Sequence, residues 1–273
     1  MTASFTLNTY TVTASAGANG TITPPTQSVN YGATASFAVT PNTGYSVASV
    51  SGDTCTVTHG SVTTWTTNAI TANCAVTASF TINAYTVTAT AGANGTIAPP
   101  TQIVNYGGTA SFMVTPSTGY TASMTGDTCT VTHSSGTTWT TNAITANCAV
   151  TASFTLNTYT VTASAGANGT ITPPTQSVGY GATATFTITP ATGYGVATVV
   201  GDTCTVTQGT GNTWTSNGII ADCAVLATFV ATTPVTGYHD QRQPRLRALR
   251  HAAQLCGHGH EQRRRRRHQH DPR

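Results

Sequence analysis

The chain contains no lysine, and its ten basic residues are arginines that all lie at or beyond Arg242. Residues 1–238 therefore carry no basic side chain except His59 and His133, and their only acids are Asp53, Asp127, Asp202 and Asp222. That body has a formal charge of −4. From His239 onward the ten arginines against Asp240, Glu261 and Asp271 give +7, which accounts for the overall +3. A cation-free body offers phosphates nothing to neutralise, so nucleic-acid binding would depend wholly on the last segment. Nowhere does an apolar run approach the ~20 residues of a membrane-spanning helix. Nor does a charged stretch followed by an apolar one open the chain, so no membrane insertion and no targeting segment are read from it.

What the body does contain is threonine, 63 of 273 residues and none after Thr236. A β-branched side chain is stiff at χ1 and suits a pleated, half-solvated surface, which favours strands over helices. Threonine usage is organised by a repeat. Tyr-Thr-Val-Thr-Ala begins at Tyr10, Tyr85 and Tyr159, each time followed by Ala-Gly-Ala-Asn-Gly-Thr-Ile, at spacings of 75 and 74 residues. The shorter copy reads Tyr120-Thr-Ala-Ser-Met-Thr-Gly where the first reads Tyr45-Ser-Val-Ala-Ser-Val-Ser-Gly, one residue deleted near an expected strand end. The expected boundaries are 10–84, 85–158 and 159–232. Residues 2–8 match 151–157, so 1–9 read as the last strand of a truncated preceding repeat, with more protein expected upstream. Beyond Thr236 composition turns abruptly to Arg, His, Gln and Pro. The segment 233–273 is expected to be disordered for want of apolar residues. Its sudden onset reads as out-of-frame translation; a genuine basic tail would instead suit a polyanion.

Within the first copy, Tyr10, Val12 and Ala14 alternate with threonine and serine, the period of a half-buried strand. Asn19-Gly20 follows, a dipeptide that accepts positive φ, so a β-hairpin is expected there. Pro24-Pro25 should end its second strand. Further strands are expected around Ala35, Phe37 and Val39, from Tyr45 towards Val50, and from Cys74 to Ile82, where Cys74, Val76, Ala78 and Phe80 share one face. No window carries a 3.6-residue apolar stripe. The expected fold is all-β: three small antiparallel modules in tandem.

A unit of ~75 residues has a marginal core, and a pair of cysteines recurs in each: Cys55 and Cys74, Cys129 and Cys148, Cys204 and Cys223. Units that share one fold should each pair their own, closing loops worth roughly 3 kcal/mol apiece. Such bonds persist in oxidising compartments, which points outside the cytoplasm. Cys256 is left over. Phe80-Thr-Ile-Asn-Ala-Tyr85 and Phe154-Thr-Leu-Asn-Thr-Tyr159 lead from unit to unit without a Gly, Pro or Ser spacer, so a stiff, elongated array is expected.

Tyr-Thr-Val-Thr-Ala, Gly-Ala-Asn-Gly-Thr-Ile, Val-Asn-Tyr-Gly-Ala, Phe-x-Val-Thr-Pro-x-Thr-Gly-Tyr and Thr-x-Asn-Cys-x-Val-Thr-Ala-Ser-Phe, in that order, resemble the divergent InlB B-repeat family, the bacterial repeat domains. The resemblance implies β-grasp-like or sandwich-like modules strung along secreted or surface-exposed bacterial proteins, and no particular activity.

Candidate chemistry is thin. Each unit has a single shared aspartate, Asp53, Asp127 or Asp202, where glycosidic hydrolysis needs two facing carboxylates; its place in Gly-Asp-Thr-Cys suits a turn. Cys55 with His59 and Cys129 with His133 have a zinc-like spacing, but Gln208 replaces the histidine in the third copy. Neither a metal nor a cofactor is expected, nor a nucleophile of the Cys-His or Ser-His-Asp kind. Asn19, Asn94 and Asn168 open Asn-Gly-Thr acceptor patterns, but their turn-forming role explains the same residues without a glycan. Trp65, Trp139 and Trp214 lie between the paired cysteines. Exposed, they would stack on sugar rings; buried, they would cover the disulfides. The expected function is a non-catalytic extracellular stalk or multivalent adhesive array facing a surface protein or glycan, with a carbohydrate-binding array using one Trp per repeat as the alternative.

Overall fold

The structure, a computed structural model, describes residues 1–232. The expectations for 233–273, including disorder, a polyanion site and an unpaired Cys256, lie outside the described residues. Among the described residues there are 24 strands and no helix. Each repeat contributes eight.

In the first, these are β1 (Thr9–Ala16), β2 (Gly20–Thr23), β3 (Thr26–Asn30), β4 (Ser36–Pro41), β5 (Tyr45–Gly52), β6 (Val57–His59), β7 (Thr64–Thr67) and β8 (Cys74–Ile82). They form two four-stranded sheets, ordered β3-β1-β8-β5 and β2-β4-β7-β6. Alternation decides which side chains enter the core. From the first sheet come Val12, Val50, Val76 and Ala78; from the second come Ile22, Phe37 and Val39, and all are buried in one cluster. The module is therefore a sandwich, with threonine on the outward positions. Its first sheet is mixed, because β1 and β8 run parallel, with Val12 opposite Cys74; the other pairings are antiparallel.

The Asn-Gly segment does not close a hairpin. β1 pairs with β3 and β8, whereas β2 pairs with β4, so the turn hands the chain from one sheet to the other. Asn19 alone takes positive φ, at 74°. Gly20 begins β2, and the ring of Phe80 occupies the space a Cβ would need. A primed turn would require positive φ at both positions, and close packing is what the glycine provides here.

The second repeat runs from β9 (Ala84–Ala91) to β16 (Cys148–Leu156) with the same two sheet orders and an equivalent core around Phe112, Val114 and Val150. Its deleted residue lies inside a strand, not at its end. β5 carries a bulge between Val47 and Ser49, which leaves Ala48 unpaired and lets both Val47 and Val50 face inward. The corresponding β13 (Tyr120–Gly126) pairs with β16 in unbroken register, and Ala122 and Met124, two apart, take the inward places.

By its contacts the described chain divides into two units, the first holding residues 1–161, 176–184 and 216–223, the second holding 162–175, 185–215 and 224–232. Within the second, β20 (Thr185–Pro190) lies between β18 (Gly169–Thr172) and β23 (Thr213–Ser216), and β21 (Tyr194–Gly201) pairs with β24 (Cys223–Ala231) across a bulge between Val196 and Thr198. Residues 1–8 form no strand, and Phe5 is 92% exposed. They match the end of β8, but no described strand equivalent to β5 pairs with them.

Candidate functional site

The shared aspartate is built into the disulfide corner. Asp53 Oδ1 accepts hydrogen bonds from the backbone N–H of Ala75 at 2.7 Å and of Thr54 at 2.6 Å. The Ala75 bond, then that of Thr54, holds its carboxyl below the ordinary 3.8. Asp127 and Asp202 repeat the arrangement with Ala149 and Thr128, and with Ala224 and Thr203, and their carboxyls are lowered in the same way. Gly52 stands beside them because a Cβ there would lie 2.5 Å from the Cys55 carbonyl oxygen. Asp222 does a different job. Its Oδ1 accepts the Thr160 N–H at 2.8 Å, as Asn73 Oδ1 accepts that of Thr11 at 2.9 Å.

Cys55 is bonded to Cys74 and Cys129 to Cys148, with Cα atoms 5.9 and 6.0 Å apart, and Cys204 and Cys223 are also disulfide-bonded. Cys55 and Cys129 thus offer no thiolate to a metal. Among the described residues no group of three or more His, Cys, Asp or Glu could hold an ion. The zinc-like histidines have another use. His133 Nε2 donates to Gly136 O at 2.8 Å, and Gln208 Nε2 donates to Gly211 O at 3.2 Å. The position calls for a donor that ties a strand end to the following turn, which either side chain supplies.

Each tryptophan sits on the third strand of the second sheet, half-buried, between a core phenylalanine and that donor. Trp65 is paired with Phe37 on β4 and with His59 on β6; Trp139, on β15 (Thr138–Thr141), is paired with Phe112 on β12 (Ser111–Pro116) and with His133 on β14 (Val131–Ser135). Directly opposed residues share a face, so the indoles continue the core outward. The rings of His59 and Trp65 lie 4.6 Å apart, those of His133 and Trp139 4.9 Å. Trp214 pairs with Phe186, and its Nε1 is buried with no hydrogen-bond partner among the described residues.

Beside Trp139 an open groove of about 440 Å³ runs between the edges β13 and β14, lined by Val114, Pro116, Tyr120, Ala122, His133 and Trp139. Sequence reading marked the tryptophan and histidine but missed Tyr120 and Ala122. The available signal was a difference between copies, since Val47 and Val196 stand where the second repeat has Ala122, opposite Phe80, Phe229 and Phe154 respectively.

Asn94 and Asn168 take φ of 70° and 72°, like Asn19, so all three acceptor-pattern asparagines are turn residues. At the end of the first repeat Asn83 N–H donates to Gly44 O of the same repeat, and Asn83 O accepts from Tyr106 N–H of the next, both at 2.8 Å. Tyr106 lays its ring over Gly44, whose φ is +83°, in the space a Cβ would fill. Asn157 makes the same two bonds, to Gly119 and Tyr180, and Tyr180 covers Gly119.

No curated protein matches the chain. The family model for the divergent InlB B-repeat domain matches residues 10–84, 85–158 and 159–233. Three tandem matches spanning most of the chain, on a sheet pair that recurs with each of them, make this protein a member of the divergent InlB B-repeat family.

Proposed function

We propose that this repeat protein of bacterial type acts outside the cell as a non-catalytic stalk or multivalent adhesive array. The observation that carries the reading is the joint. Asn83 and Asn157 each donate to a glycine of their own repeat and accept from the N–H of a tyrosine of the next, whose ring is seated on that glycine. A spacer-free coupling of this kind holds successive modules in register, as a stalk must, and a weak site repeated along it gains avidity through effective concentration. Disulfides in every repeat suit an oxidising environment. Each aspartate of the Gly-Asp-Thr-Cys corner is committed to backbone N–H groups, and with it the acid that catalysis would draw on.

Adhesion of beads coated with one, two or all three repeats to glycan and protein surfaces tests the reading. Retention under flow should rise more steeply than repeat number. Retention no better than that of uncoated beads on every surface would overturn the adhesive role, and independent unfolding of neighbouring repeats under force would overturn the stalk.

A further inference from the structure

The groove at Trp139 is a feature that a purely mechanical role leaves unused. Tyr120 and Trp139 give it aromatic surface, Val114, Pro116 and Ala122 an apolar wall, and His133, Thr121 and Thr137 a polar rim. No carboxylate, lysine or arginine lines it. At about 440 Å³ it falls within the range of small-ligand sites, which are mostly apolar with a few convergent polar groups.

The strand beside it differs from its counterparts in two ways. Loss of the residue equivalent to Ala48 straightens β13, and Ala122 takes the inward position held by Val47 in the first repeat and Val196 in the third. Alanine has two methyl groups fewer than valine, and Ala122 lines the same groove as Trp139. His133 is pinned to Gly136 O, so the rim is held in place without a ligand.

We infer that this groove binds a neutral pyranose sugar, with one C–H face of the ring against the Trp139 and Tyr120 aromatics and its hydroxyls at the His133 and threonine rim. The chemistry favours this occupant. An anionic ligand would meet no cation and a cationic one only aromatic faces with no carboxylate, whereas a pyranose is uncharged, with apolar faces for the rings and a hydroxyl edge for the polar rim. The inference rests on the adhesive reading above and gives it a ligand class.

The whole chain, labelled with nitrogen-15, can be titrated with neutral cellotriose, chitotriose and maltotriose while the three indole Nε1–H signals are followed. At least one sugar should shift the Trp139 signal in a saturable manner and leave those of Trp65 and Trp214 in place. Ala122→Val should weaken that binding about tenfold or more, a loss of about 1.4 kcal/mol. This variant fills the groove with the residue the other two repeats carry at the same strand position, so it preserves the fold; Tyr120→Ala should weaken binding as well. Equal shifts at all three tryptophans, an Ala122→Val variant that binds as before, or saturation by choline but by no sugar would each overturn the assignment. If no sugar binds while coated beads still adhere to a protein surface, the sugar site fails and the adhesive reading stands; loss of both removes the reading beneath it.

Discussion

Val62 holds a backbone conformation that its side chain opposes. Its φ is +40°, and the equivalent positions in the other repeats are Gly136, at +54°, and Gly211, at +62°. A β-branched residue at positive φ is strained by about 1–3 kcal/mol, and glycine relieves that at an entropic cost of roughly 0.5–1 kcal/mol. The side chain is 92% exposed, so it contributes little packing. Val62→Gly should therefore stabilise the first repeat by on the order of 1 kcal/mol, read from the urea midpoint; a destabilised variant would show that the turn is not strained. The aspartates set the response to acid. Asp53, Asp127 and Asp202 are each held below 3.8 by backbone N–H donors, Ala75, Ala149 and Ala224 first. A carboxyl depressed in the folded state contributes stability that is fully present above its unfolded value and is lost as pH falls through its folded one. The melting temperature should be flat above about pH 5 and drop below about pH 4. Replacing all three aspartates by asparagine should lower the plateau and flatten the acid slope. An unchanged slope would mean that other groups carry it.

At the scale of the strand, the deletion in the second repeat is a natural experiment. Removing Ala48 from β5 deletes the unpaired residue of a bulge and leaves Val47 and Val50 two apart, the spacing that Ala122 and Met124 have in β13. That deletion should shift stability by no more than about 1 kcal/mol. Removing Thr77 from β8, which has neighbours on both sides in β1 and β5, should unfold the repeat, because a one-residue slip sends the inward set to the outside. If both deletions were equally tolerated, register would not be what fixes this sheet. Strands such as β8 were legible from sequence because Cys74, Val76, Ala78 and Phe80 alternate without interruption. β3, β6 and β7 were not, being short pieces whose alternation is polar on both faces or interrupted by turns; Gln27 on β3, for example, is fixed by its hydrogen bond to Ser36 O, a contact no periodicity reports. The Asn19-Gly20 turn misled for a related reason. Local φ preference cannot say which sheet the next strand will join, and the close packing of Gly20 involves Phe80, sixty residues away. The same limit hid the groove, since Trp139 and His133 stand out by residue type and Ala122 only by where β13 places it.

For the molecule as a whole, the question is whether the repeats unfold one by one or together. In a linear array, stability is a sum of intrinsic terms and nearest-neighbour terms, so removing a joint should change coupling more than it changes any module. Tyr106 and Tyr31 provide the comparison. Each sits 6.5 or 6.3 Å from a partner tyrosine of its own repeat, Tyr85 or Tyr10. Tyr106 also covers Gly44, whereas no described glycine lies under Tyr31. Tyr31→Ala thus reports what the ring does inside a module, and Tyr106→Ala reports that plus the joint. Gly44→Ala attacks the joint from the other side, setting a methyl group against the ring at a φ of +83°. Urea unfolding followed through the tryptophans should show one steep transition for the parent chain and for Tyr31→Ala. It should split or broaden, with a smaller apparent m-value, for Tyr106→Ala and Gly44→Ala. Identical slopes in all four proteins would show that the modules are coupled by the chain alone, and a stalk built on such joints would bend wherever its linkers allow.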